Sequence, residues 1–311
     1  VITPVYNGER YLAAALQSVL AQSDGAVEIL VSDDGSSDGS TRLVKSLSRF
    51  EQLHSLQGPR KGNWVSNSNE AVARSRGKFV TFLHQDDLWL PGRLQLLQEA
   101  INDHPDCCLW IGPTRFIGPA GDIVGTWRLP FRRKTTRIGA HQFVERLLVQ
   151  NFIGMPTPVF TRKAFDTVGG MDESLWFTAD WDLWIKLGAL GDVAIAPEAT
   201  TGFRLHPHSQ TVKGGAEDMK VQIETVRARH LPVLPIESKR NTVDRAGRFS
   251  ASLNTCLARA FSGQPALWRQ LAPSVAQLGL RGAYRFARDA RFLERSIARL
   301  RVGLASQSRA Y

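Results

Sequence analysis

Two adjacent carboxylates, Asp86 and Asp87, end a short apolar run in the stretch "FLHQDDLW" at 82–89. Partial burial of neighbouring like charges costs on the order of several kcal/mol unless a cation or a donor compensates. A hard divalent cation takes oxygen ligands and keeps open positions for phosphate oxygens. A metal bridging a diphosphate to these acids accounts for the pair; aspartates capping a helix ahead of Pro91 are the alternative.

Four other clusters carry side chains of the same kind. Asp33 and Asp34 open "DDGSSD" at 33–38, after an apolar run. Asp and Ser before a helix cap and turn the chain, whereas a carboxylate facing a nucleotide accepts from a base N–H or a ribose hydroxyl. Pro4, Tyr6 and Asn7 follow the first apolar run, where a Tyr can cover a base and an Asn can fix a turn. Asp180 stands at a helix start in "WFTADWDLW" at 176–184, either as a cap favoured by the helix dipole or as a general base taking a hydroxyl proton. Trp181 and Trp184 share a face of that helix and read as core. His206 lies in "FRLHPHS" at 203–209, a polar loop after a strand, and is a ligand candidate.

These residues need a frame that gathers them. Apolar β-branched runs at 1–5, 27–32, 53–56 and 78–83 alternate with helical spacing at 10–22, 40–50, 67–76 and 91–103. That alternation predicts βαβ units and a parallel sheet, with ligands beyond the carboxyl ends of the strands. Tyr6-Asn7, Asp33-Asp34 and Asp86-Asp87 all sit at such ends and should converge on one crevice. Further on the pattern predicts strand, turn and strand over 108–124, an exposed Arg- and Thr-rich loop at 125–140, and a helix at 142–150. A strand at 156–161, a helical turn at 163–168, a helix at 181–190 and a strand at 193–196 follow. Gly214-Gly215 marks the boundary between a domain at 1–214 and a helical region at 215–311, with helices near 216–233, 241–262, 266–278 and 281–304.

The chain has 311 residues, enough for one large domain or two smaller ones, and a net charge of +10. Residues 1–214 are close to balanced, so the excess belongs to the last third. No apolar run approaches the roughly 18 residues of a membrane span. Cys107, Cys108 and Cys256 form neither a disulfide framework nor a zinc pattern, and read as reduced thiols of a cytosolic protein. The start at Val1, inside a strand and without Met, is expected of a fragment.

Taken together, "TPVYN" at 3–7, "VSDDGSSDGS" at 31–40, "GNWVSNSNEAVARSRGKFVTFLHQDDLWLPGRL" at 62–94, "GGMDESLWFTADWDLWIKL" at 169–187 and "FRLHPHS" at 203–209 resemble the family 2 glycosyltransferases. The motifs run in the family's order over residues 1–212. The resemblance implies the GT-A fold, a Rossmann-like mixed α/β sheet flanked by helices, here with a C-terminal helical extension. It implies an inverting, hexosyltransferase-type transfer from a nucleotide-diphosphate sugar donor to a glycan or lipid-linked acceptor. Pro4, Tyr6, Asn7 and Glu9 would lie along the nucleotide; Asp34, with Asp33 beside it, would hold base or ribose; Asn69 would lie near the donor. Asp86 would contact ribose or sugar, and Asp87, with Asp86 and His206, would bind Mg²⁺ or Mn²⁺. Asp180 matches the catalytic base. His84 stands where the family commonly has Asp, and Ser68 where it often has Arg, which leaves the acidic signature one carboxylate short.

Arg281, Arg285, Arg288, Arg291, Arg295 and Arg299 recur every three or four residues, apart from a stripe of Phe286, Ala290, Leu293, Ile297, Leu300 and Leu304. A basic amphipathic helix over 281–304 would meet an anionic membrane surface, placing the protein in the cytoplasm and peripherally on the inner face; a helix docked by its apolar stripe is the alternative. Nucleic acid is not an expected partner, since no aromatic-basic interleaving is present. A non-catalytic sugar-nucleotide or glycan binding module is the alternative to an enzyme. A nucleotidyltransferase would want a Gly-rich basic phosphate loop near the N-terminus, and an oxidoreductase a G-x-G-x-x-G after the first strand.

Overall fold

A computed structural model describes the chain except for residues 24, 133, 207–208, 210–214, 262–263, 266–267 and 308–311. The first half alternates as the periodicity predicts: β1 (Ile2–Val5), α1 (Glu9–Leu20), β2 (Ile29–Asp33), α2 (Ser40–Ser46), β3 (Leu53–Gln57), α3 (Trp64–Arg74) and β4 (Phe79–Val80). β1, β2 and β3 are parallel neighbours. β1 and β2 are buried along their whole length, as strands covered on both faces must be. Helix α1 turns Leu12, Ala15, Leu16 and Val19 inward, the i, i+3, i+4, i+7 stripe of an amphipathic helix. Helix α3 starts earlier than its apolar spacing indicates, because the Asn63 side chain accepts the Val65 and Ser66 N–H groups.

The second half contributes β5 (Leu88–Trp89), α4 (Arg93–Asp103), β6 (Leu109–Ile111), β7 (Thr114–Ile117), β8 (Ile123–Trp127), β9 (Arg137–Ile138), α5 (Ala140–Leu147), β10 (Val159–Thr161), α6 (Arg162–Thr167), α7 (Ala179–Ala189), β11 (Val193–Ile195) and β12 (Thr201–Arg204). Strands order as β4-β10-β6-β11-β9 in one mixed sheet. Ile2 joins this sheet to the parallel one: its N–H donates to the Thr81 carbonyl and its carbonyl accepts from Leu83 N–H, both at 2.9 Å. The expected strand at 78–83 is thus split between two neighbours, β4 pairing with β10 and Phe82 bridging to Ile2. A smaller sheet, β5-β12-β7-β8, stands beside it. Phe82, Phe160 and Trp184 pack between the main sheet and helix α7, and Trp181 is buried with them, as the shared helix face predicts.

The expectation of an exposed loop over 125–140 is corrected. Residues 125–127 belong to β8, whose Trp127 ring stacks on Phe116 at 5.5 Å, and Leu129 is buried. The cover on this strand comes from a helix some 170 positions away in sequence, so no local pattern records it.

The last third is helical as expected: α8 (Ala216–His230), α9 (Glu237–Phe261), α10 (Ala272–Asp289) and α11 (Phe292–Gln307). Gly279 interrupts α10 at φ 60°, ψ 170°, the gap foreseen between 278 and 281. The single helix expected over 281–304 is not continuous. Arg291 adopts φ 47° and turns the chain between α10 and α11, its guanidinium donating to the Leu129 carbonyl. Asp182 of α7, fully buried, ties this region to the sheet domain through His230 at 2.7 Å and Arg229 at 2.8 Å. Among the described residues no helix is long and apolar enough to cross a membrane, and the three cysteines are free. Gly214 and His208 lie outside the described residues.

Candidate active site

The carboxyl ends of β1 and β2, the segment after β4, the N-terminus of α7 and the end of β12 surround a cavity of about 760 Å³. Its lining includes Pro4, Tyr6, Asn7, Asp34, Asp86, Asp87, Asp180 and His206, so eight of the eleven residues singled out above meet at one place. The crevice at the strand ends is where an open α/β sheet puts its ligands.

Each wall has a local cause. Asn7 adopts φ 49°, a left-handed conformation that Asn tolerates, and its side-chain oxygen accepts the Ser37 N–H at 2.8 Å, which locks the β1 and β2 loops together. The Tyr6 ring stands 41% exposed at the cavity with the Arg60 guanidinium 4.4 Å from its centroid. Asp34 accepts the Lys61 and Gly62 N–H groups at 2.6 and 2.8 Å, and Gly62 can present its amide because it sits at φ 67°.

Asp33, Glu9 and Asn69 are not part of the lining. Asp33 accepts from Ser36 and Thr41, so of the adjacent pair it takes the turn-forming role while Asp34 faces the cavity. Glu9 accepts the Gly39 N–H at 3.0 Å and joins α1 to α2. Asn69 exchanges hydrogen bonds with Met171 and donates to Glu173. Asn67 lines the cavity instead. At 100° per residue, two positions along α3 differ by about half a turn and point to opposite sides, so only one of the two can face the cavity.

The paired acids of the opening stretch behave differently from each other. Asp86 Oδ2 lies 2.8 Å from His206 Nε2. Burial works to raise its pKa, but the His206 hydrogen bond and the electrostatic pull of His84 and His206 together outweigh this and hold the carboxyl below its ordinary value. Asp87 is 2% exposed and accepts the Arg204 N–H at 2.9 Å; burial and the charge of Asp86 push its pKa well up. His84 packs half-buried against Trp64, ring centroids 5.0 Å apart, and loss of solvent around the ring lowers its pKa. Arg204, beyond the predicted set, clamps this corner. Its guanidinium donates to the Asp86, Gly118 and Pro119 carbonyls and lies 4.5 Å from the Tyr11 ring centroid. The Arg stood in the "FRLHPHS" motif, but three long-range carbonyl partners leave no trace in sequence.

Asp180 is the second residue of α7, not its cap, which is Thr178. Its Oδ2 accepts from Asn151 Nδ2 at 3.1 Å. Burial lifts its pKa to about 6, against the pull of the Trp181 amide and of Asn151. A carboxylate poised near 6 can take a proton from a hydroxyl as that oxygen becomes acidic in a transition state.

Among the described residues no three His, Cys, Asp or Glu side chains are grouped to hold a metal ion by themselves. Asp86 and Asp87 nonetheless put two carboxylates in the cavity lining, with His206 Nε2 2.8 Å from Asp86 Oδ2, and Mg²⁺-type sites commonly take one or two carboxylates with substrate phosphates completing the shell. The donor set therefore fits such an ion with a diphosphate present.

The sequence model described as Glycosyl transferase family 2 matches residues 1–162. An uncharacterized glycosyltransferase of Rickettsia prowazekii is 27% identical over 213 residues, 68% of this chain and 65% of that protein. This chain thus spans just under two thirds of that relative's length. S. aureus TarS, solved in complex with UDP-GlcNAc, superimposes with a TM-score of 0.63 at 16% identity, covering 95% of this chain and 90% of that one. The mannosyltransferase PcManGT of Pyrobaculum calidifontis, in complex with GDP-Man and Mn²⁺, gives 0.55 at 17% identity, covering 96% and 86%. These likenesses extend the shared fold over the C-terminal helices as well as the sheet.

Proposed function

The chain belongs to glycosyl transferase family 2, and from that premise we propose that it moves a sugar from a nucleotide-diphosphate donor to a hydroxyl of a glycan or lipid-linked acceptor, with inversion. The observation that supports this most is the convergence of Asp34, Asp86, Asp87, Asp180 and His206 on one cavity from four separate parts of the chain.

In this reading Tyr6 and Asp34 receive the nucleoside, the ring as a face for the base and the carboxylate as an acceptor for its N–H or for ribose. Asp180 takes the acceptor's hydroxyl proton as that oxygen attacks the anomeric carbon. The new glycosidic C–O bond forms as the bond from that carbon to the diphosphate oxygen breaks, and the nucleoside diphosphate leaves with the bonding electrons. Attack opposite the leaving group inverts the centre. Asp86 and His206, with Asp87 behind them, would hold Mg²⁺ or Mn²⁺, which would supply positive charge to the diphosphate. No second acid is then needed.

A cytoplasmic location, peripheral on the inner face of the membrane, suits a lipid-linked acceptor. The support for it is an exposed apolar face, Leu293, Ile297 and Leu300 on α11, and not the arginine stripe. Arg285 pairs with Glu145 and Arg288 with Asp289, while Arg295 and Arg299 face the cavity. Flotation with anionic vesicles that is unchanged when these three residues become Ser would remove the membrane part.

The direct test is a thermal-shift screen of UDP-, GDP- and dTDP-sugars with and without Mn²⁺, followed by product analysis of the anomeric configuration. A nucleotide sugar should stabilise the protein and yield an inverted product. No stabilisation by any of them, in either metal condition, would dismiss the donor site.

A further inference from the structure

Helix α11 delivers two guanidinium groups, Arg295 and Arg299, to the cavity lining, one turn apart. The helix is fixed against β8 by contacts that do not involve them. Glu294 accepts the Arg128 N–H at 2.6 Å, and Arg301 donates to the Val124 carbonyl at 2.8 Å. Ala298 packs into the space left by Gly125, where a Cβ would lie 3.3 Å from the Ala298 methyl. The arginines around them are all engaged: Arg285 and Arg288 with carboxylates, Arg291 and Arg301 with main-chain carbonyls. Arg295 and Arg299 make no hydrogen bond or ion pair among the described residues; Arg295 lies over the Trp127 ring, 5.1 Å from its centroid.

Two half-buried cations one helical turn apart, with no carboxylate in direct contact among the described residues, are unfavourable side by side. The strain registers in their acidity: burial, then the charge of Arg299, pushes Arg295 down to about 9, and burial lowers Arg299. Guanidinium groups suit carboxylates and phosphates, two of whose oxygens they bind with paired N–H donors. Both arginines line the same cavity as Asp180, and the charge of Asp180 reaches Arg295.

We propose that Arg295 and Arg299 form a subsite for an oxyanion, phosphate or carboxylate, carried by the acceptor, so that the acceptor is an anionic glycan or a phosphorylated carrier and not a neutral sugar. This rests on Asp180 as the base of the transfer reaction. A donor diphosphate is the other source of such an anion, and the test separates the two.

The full chain is first titrated with nucleoside diphosphate and Mg²⁺, then, saturated with both, with sn-glycerol 3-phosphate and with glucuronate, each against its neutral counterpart, glycerol and glucose. At least one anionic probe should bind with the nucleotide in place, and the neutral ones at least tenfold more weakly. Arg295→Gln and Arg299→Gln should each weaken the anion tenfold or more, Arg→Lys less. Both Gln variants should melt at or above the unaltered chain, because an uncompensated cation is removed; this would not hold for residues with a merely structural role. Equal binding of neutral and anionic probes, unchanged anion binding in both variants, or displacement of the anion by nucleoside diphosphate would each overturn the proposal. Failure of nucleotide to bind at the outset would instead count against the transferase reading, and the anion titration without nucleotide would still decide whether the arginine pair is a site.

Discussion

Asp86 Oδ2 and His206 Nε2 stand 2.8 Å apart although 120 residues separate them in the chain. The first comes from the segment after β4, the second from just beyond β12. What holds them in place is Arg204, whose main-chain N–H binds Asp87 and whose guanidinium binds the Asp86 carbonyl. The two motifs that carry the acids and the imidazole are thus parts of one corner, built by a residue belonging to neither proposed role.

If that corner holds the divalent ion, Asp86→Asn and His206→Ala should each raise the Mn²⁺ concentration for half-maximal stabilisation by a nucleoside diphosphate, by about 10- to 100-fold. Chelation with EDTA should reduce transfer by the unaltered chain to background. Identical metal titrations in both variants would remove these residues from the metal site.

Asp180→Asn should lower the transfer rate by about 10²- to 10⁴-fold while nucleotide binding persists, the range expected for loss of a general base. The same change should raise the melting temperature at pH 7.5. An ionised carboxylate whose pKa stands near 6 in the folded chain and 3.8 in its ordinary state opposes folding at neutral pH by on the order of 2–3 kcal/mol, and the amide does not. Differential scanning calorimetry and rate assays on one preparation read both.

The pH dependence follows with a definite sign. Asp180 must be ionised to accept a proton, so the logarithm of the rate should climb with unit slope up to about pH 6 and level off above it. Stability linked to this group moves the other way: the folded chain holds the proton more tightly, so the contribution is full below the ordinary carboxylate value and is lost as pH rises through 6. Asn151→Leu removes a hydrogen bond to the ionised form and should shift the rate profile to higher pH.

Asp182, two residues on, has a structural part. Burial works against its ionised form, but the His230 hydrogen bond and Lys186 hold it down at about 2. Asp182→Ala should destabilise by about 1.5–3 kcal/mol in urea unfolding, because His230, Arg229 and Lys186 all lose a charged acceptor. Because its pKa is depressed, that stability is present above the ordinary carboxylate value and lost as pH falls towards 2.

Strand and helix order through the first hundred residues was legible in the sequence, because burial on both faces of a parallel sheet demands apolar β-branched runs and an amphipathic helix demands its 3.6-residue stripe. So was the meeting of Tyr6, Asp34 and Asp86 at strand ends, since topology alone brings those ends together. Tertiary structure decided the rest. It turned Asp33 to the Ser36 loop and Asp34 to the cavity, faced Asn67 to the cavity by helix phase, and broke the basic helix at Arg291. It also turned Arg295 and Arg299 of α11 to the cavity and left Leu293, Ile297 and Leu300 outside, the reverse of what an isolated amphipathic helix would do. The reason is physical: spacing along a chain records which side chains share a face, but not what that face meets. For α11 it meets β8 and a cavity lined with carboxylates, and that surface exists only once the sheet has formed.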